Sequence, residues 1–244
     1  MKYRNAWGYC AGAAGIALIA ALAWHFAPRK SAVIVDQLSL GMPNPAFIET
    51  ATRLLESTGY RVAYIPQQDV TVEFFRRLPA RGDEVILLRV HSSGRLVTKS
   101  GAVIDDSSIS LCTGEPLSKA YPKERNSGQL GGFETLGTER LFFSVRGEFF
   151  ARSASGKFPQ SVIIIMGCEG LRIPRTAEIF LDLGAQAVIG WNDQISTTVM
   201  DAAAAAFLEA WLRQRQTLKA AVATARRSVE SALNDPQIEL KIMP

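Results

Sequence analysis

A chain of 244 residues, 48% of them apolar and 20% charged, has the make-up of an ordinary globular protein rather than a disordered or fibrous one. The formal charge of +4 is small, and no basic cluster exceeds pairs such as Arg76-Arg77 and Arg226-Arg227, which argues against a nucleic-acid partner. Three cysteines argue against a disulfide framework, and two histidines with no Cys-x-x-Cys or His-x-x-x-His spacing leave no metal site.

In chain order, the first feature is a short basic start, Lys2 and Arg4, before an uncharged apolar run from Ala6 to Pro28. Such a run can cross a hydrocarbon layer of about 30 Å. Trp7, Tyr9 and Trp24 stand where interfacial aromatics would, and Arg29-Lys30 stop the run. Residues 1–30 are therefore expected to be a membrane anchor, one N-terminal transmembrane helix with the N-terminus cytoplasmic and the domain outside. The alternative is a cleaved signal peptide, since Ala21-Leu-Ala23 resembles a small-x-small site, and the product would then be secreted.

Residues 31–244 read as one α/β domain. Ala32–Asp36 is the first strand. A helix opened by Asn44 or Pro45 carries Phe47, Ile48, Ala51, Leu54 and Leu55 on one face and stops at Gly59. Tyr60–Ile65 is the second strand, a short helix capped by Asp69 or Thr71 runs to Leu78, and Gly82-Asp83 turns into a third strand that ends on His91. Strands and helices alternating at this spacing predict right-handed crossovers and a mainly parallel sheet with helices on both faces, a three-layer α/β/α sandwich.

From Leu96 to Leu111 the pattern becomes short alternating pieces, read as a hairpin-like excursion. Ser118 to Gly137 is polar and without periodicity, and is expected to be a surface loop, either a binding loop or disordered. Leu141–Val145 and Glu148–Ala151 are helical or extended. The run Ser161-Val-Ile-Ile-Ile-Met-Gly-Cys168-Glu-Gly-Leu171 is the clearest strand of the chain, because three isoleucines in a short continuous apolar run suit a strand buried on both faces. A helix from Thr176 to Leu183, a strand Ala187–Gly190, an Ala-rich helix capped by Ser196 or Thr197 and running to about Arg213, and a last helix capped by Thr217 and running to about Leu233 complete the reading.

Two strands thus deliver His91 and Cys168 to the same sheet edge, where open α/β sheets place their chemistry. A histidine and a cysteine there are a possible base and nucleophile. The alternative for the cysteine is a small buried apolar residue.

Five blocks carry a resemblance: Val85-Ile-Leu-Leu-Arg-Val-His91-Ser, Leu111-Cys-Thr-Gly-Glu-Pro116, Gly156-Lys-Phe-Pro159, Ile164-Ile-Met-Gly-Cys168-Glu-Gly-Leu171 and Leu183-Gly-Ala-Gln-Ala-Val-Ile-Gly-Trp191. Their order is similar to that in the caspase-like clan of cysteine peptidases. The resemblance implies a caspase-like fold and a dyad in which Cys168 attacks a peptide carbonyl while His91 moves the proton, with no cofactor. It also implies an oxyanion hole built from N–H groups of Cys168 and of a residue among Ser92, Ser93 and Gly94. Substrate-wall roles fall on Trp191, Asn192 and Asp193, with plain packing the alternative for Trp191. Glu115 would either line a pocket for a basic side chain or cap a loop. The family has Gly directly after the histidine, where this chain has Ser92.

Further expectations complete the set. Glu169 is expected to be a solvated carboxylate on the turn, the alternative being an inward carboxylate that raises the Cys168 thiol pKa and opposes its activation. Asp201 is expected to be a solvated or capping acid, Cys112 inert core, and Arg89, inside a strand, must find a structural carboxylate. The function expected is a membrane-anchored cysteine endopeptidase acting on a peptide or protein. The alternative is a catalytically inactive module of the same fold that binds a peptide or protein partner at the membrane. A flavodoxin-like nucleotide binder ranks last, because Leu38–Asn44 is a poor phosphate loop.

Overall fold

The computed structural model describes residues 30–97, 102–134 and 140–244, and these described residues form ten strands and seven α-helices. The apolar run 6–28 lies outside those residues. Among the described residues no helix is long and apolar enough to cross a membrane.

The β-branched runs of the sequence form the centre. β1 (Ser31–Asp36), β2 (Arg61–Pro66), β3 (Val85–Arg89), β8 (Val162–Met166), β9 (Ala187–Trp191) and β10 (Leu240–Met243) make one sheet, in the order 2-1-3-8-9-10. All neighbours pair parallel except β10, which runs antiparallel to β9. Every residue of β3, β8 and β9 is buried, as strands covered on both faces must be.

The covering helices divide by face. On one side α1 (Pro45–Ser57), α6 (Thr197–Leu208) and α7 (Leu218–Val229) pack on Ile34, Leu87, Ile164 and Ile189. On the other side α2 (Val72–Arg77), α4 (Gly147–Ser153) and α5 (Arg175–Asp182) pack on Val33, Ile86, Ile163 and Val188. Alternate strand residues therefore serve opposite cores, as the two-residue period of a strand requires. The expected helix starts hold: Asn44 accepts from Phe47 N, Thr71 from Phe74 N, Ser196 from Val199 N and Thr217 from Ala220 N.

Three expectations need correction. The excursion after His91 is not a lone hairpin but a four-stranded antiparallel sheet in the order 4-5-7-6, formed by β4 (Ser92–Val97), β5 (Val103–Pro116), β6 (Leu130–Glu134) and β7 (Leu141–Arg146). Its Ile109, Leu111, Phe143 and Val145 join the second core, which is what makes the excursion fold. The stretch expected to be a loop, 118–137, contains α3 (Pro122–Asn126) and β6, because β6 gains its hydrogen bonds from β7 and needs no periodicity of its own. The last strand, β10, was not anticipated; only four residues long, it is an edge strand completed by β9.

Candidate functional site

β3 and β8 are immediate neighbours in register, Arg89 opposite Met166, so the chain leaves both at one rim. Val90 N continues the ladder to the Met166 carbonyl at 3.1 Å. Two residues beyond each strand stand His91 and Cys168. Both are half-buried and both line a cleft of about 640 Å³, together with Met42, Ser93, Phe133, Gln194, Ile195 and Thr197 among others. The structure therefore brings together the two residues on which the sequence reading depends.

Each is held firmly. The His91 amide donates to Oε1 of the buried Gln37 (2.9 Å), its carbonyl accepts from Cys112 N (2.8 Å), and its ring stacks on Phe133 at 5.8 Å between centroids. Gln37 carried no signal in the sequence beyond its place one residue after β1. The Cys168 carbonyl accepts from the Ser92 hydroxyl at 2.5 Å, and its thiol lies 3.6 Å from the Ile195 carbonyl. Burial lowers the His91 imidazole below its ordinary pKa, and the Arg89 guanidinium adds to this. Burial also pushes the Cys168 thiol up, and the carboxylates of Glu169 and Asp193 push it further. Thiol and neutral imidazole are thus the resting forms, and no described hydrogen bond joins the two side chains.

Beneath His91, Arg89 is 1% exposed. It donates to Asp36 (2.8 Å), to both oxygens of Asp201 (2.9 Å each) and to the Met42 carbonyl (2.8 Å). The expected structural carboxylate exists twice over. Asp201 is not solvated: it is buried in this bidentate pair and also accepts from Asn44 Nδ2. The reason is the guanidinium inside the sheet, which no solvated acid could reach.

Glu169 takes the inward alternative rather than the solvated one. It is only 1% exposed, with a left-handed backbone (φ 60°) that turns its side chain back under the rim. Its Oε2 accepts from Gly94 N (2.8 Å) and the Ser93 hydroxyl (3.1 Å), while Oε1 pairs with Arg95 at 2.6 Å. Those interactions offset the cost of burying a carboxylate. Gly94 N–H, one of the candidate oxyanion donors, is thus engaged by an internal carboxylate, as is the hydroxyl of Ser93.

The remaining candidates lie apart from the cleft. Glu115 accepts from Val72 N (3.0 Å) at the start of α2 and from the Tyr121 hydroxyl (3.4 Å), which is a capping role. Trp191 is buried among core side chains of the α1/α6/α7 face. Asn192 holds the approach to β10, donating to Gln237 O and accepting from Glu239 N, and Asp193 pairs with Arg95 and Arg172. Cys112 is fully buried with its thiol pushed up to about 12, which makes it inert. Among the described residues no cluster of His, Cys, Asp and Glu could hold a metal ion.

No family model matches the chain, and no curated protein matches it.

Proposed function

We propose that this protein is a cysteine endopeptidase of caspase-like fold, held at a membrane by residues 6–28, with Cys168 as nucleophile and His91 as proton carrier. The observation that carries the reading is the delivery of these two side chains from neighbouring parallel strands to one open cleft. The size of the cleft suits a short peptide segment. His91 follows the third strand of the sheet and Cys168 follows that strand's neighbour β8, which supports the reading. In the reaction, His91 takes the thiol proton and sulfur bonds to the scissile carbonyl carbon, whose π electrons move to oxygen. The C–N bond then breaks, the amine leaves with the proton from His91, and water hydrolyses the thioester.

A second reading, a silent module that binds a peptide in the same cleft, is favoured by the raised thiol and by the engaged Gly94 amide. Alkylation separates the two. In the full chain, His91→Ala should slow the iodoacetamide modification of Cys168 at least tenfold if His91 serves a nucleophile, with the buried Cys112 unmodified in both proteins. A Cys168 rate indifferent to His91→Ala identifies the silent module.

A further inference from the structure

Glu169 adjoins the candidate nucleophile, yet its carboxylate occupies hydrogen-bond donors that a reacting carbonyl oxygen would need. We infer that Glu169 is an internal inhibitor of its own site, its carboxylate standing in the resting protein where the oxyanion of an acyl-transfer intermediate would draw on Gly94 N–H and the Ser93 hydroxyl; this rests on the reading of Cys168 as a nucleophile.

Three observations carry it. The carboxylate takes up the Gly94 amide at 2.8 Å and the Ser93 hydroxyl at 3.1 Å, the lengths of ordinary hydrogen bonds to an anion. The site is therefore already built to solvate a negative oxygen at the amide end of β4, and an internal carboxylate fills it. The backbone enforces the posture: Glu169 sits at φ 60°, Glu169 N donates to the Asp193 carbonyl (3.0 Å), and its own carbonyl accepts from Arg172 N (2.9 Å). A non-glycine residue held left-handed beside a reactive group is a recurring mark of a strained functional turn. Lastly, Arg95, the ion-pair partner, is itself 28% exposed on its side chain and also reaches Asp193 at 3.3 Å. The carboxylate is thus buried against a guanidinium that touches solvent, which gives it a path outward along its own partner.

The rival role is a brace, in which Glu169 merely ties the Cys168 turn to β4. The two roles predict opposite signs. Releasing a latch raises reactivity, whereas removing a brace lowers it.

Glu169→Gly suits the left-handed backbone and removes the carboxylate. It should be compared with the wild type in the full chain by two probes, a peptidyl aldehyde and iodoacetamide. The aldehyde forms a tetrahedral adduct that needs oxyanion donors, and iodoacetamide does not. The latch predicts aldehyde affinity up at least tenfold, with a smaller rise in the alkylation rate. Aldehyde affinity unchanged or lower, with His91-dependent alkylation retained, overturns the latch and leaves the nucleophile standing. Absence of aldehyde binding in both proteins, with alkylation indifferent to His91→Ala, overturns the reading of Cys168 itself and the latch with it. Should Glu169→Gly fail to fold, Arg95→Gln decides. An unpaired carboxylate is costly to keep buried, so it should swing out and raise aldehyde affinity in the same sense; an unchanged or lower affinity overturns the latch.

Discussion

The hydroxyl of Ser92 donates to the carbonyl oxygen of Cys168 at 2.5 Å and so stitches the exit of β3 to the exit of β8. The stitch depends on Gly167. A Cβ there would collide with the Ser92 hydroxyl and with the Val90 carbonyl oxygen. Ser92 and Gly167 therefore belong together, and the serine standing directly after His91 has a structural task that glycine could not perform. Ser92→Ala should cost about 1–3 kcal/mol in urea unfolding, the usual range for leaving a buried polar partner unpaired. Gly167→Ala should cost more. Adding Ser92→Gly to it should recover only part of the loss, since the Val90 carbonyl remains. Full recovery in that double mutant would show that the backbone contact is unimportant.

Arg89 links three chain segments under the site: Asp36 at the end of β1, Met42 in the loop that follows, and Asp201 in α6. With two carboxylates around one guanidinium, truncating either acid leaves the cation half-compensated in a dry place. Asp201→Ala should destabilise the fold by about 3–5 kcal/mol. Because the Arg89–Met42 bond shapes one wall of the cleft, the same variant should also slow Cys168 alkylation at temperatures where it remains folded. A loss under 1 kcal/mol in chemical denaturation would contradict this account.

Most of the parallel sheet was legible because its strands are buried on both faces, and such runs as Val162–Ile165 announce themselves by composition alone. The four caps were legible for the same kind of local reason. What escaped the sequence has non-local causes. β6 and β10 exist because β7 and β9 offer them a ladder, and neither short run is distinctive. The site shows the same division. His91 and Cys168 follow strongly apolar strands, so their rim could be read. The burial of Glu169 and Asp201 depends on guanidinium partners 74 and 112 residues earlier in the chain, Arg95 and Arg89, and no local pattern encodes those pairings.

Glu115 separates a capping role from a pocket role cleanly. Its carboxylate accepts from Val72 N at the first turn of α2, and it does not line the cleft that holds Cys168. Glu115→Ala should lower stability by about 1 kcal/mol, the usual worth of a lost helix cap. The Cys168 alkylation rate should stay within twofold of wild type. A change in preference for peptides with basic side chains would restore the pocket role.

The protonation states of the pair give the last prediction. Burial raises the Cys168 thiol and lowers the His91 imidazole, so the resting pair does not carry a thiolate-imidazolium charge at neutral pH. The alkylation rate of wild type should therefore climb only as pH passes above the ordinary thiol value of about 8.5, with no early plateau near neutrality. For the imidazole the sign runs the other way. Below about 6.5 the unfolded chain binds a proton that folded His91 resists, so stability falls as pH drops through that value toward the lowered folded pKa. His91→Gln removes this contribution. The difference in unfolding free energy between wild type and His91→Gln should shift against wild type between pH 7 and pH 5, and a pH-independent difference would refute the buried, neutral state assigned to His91.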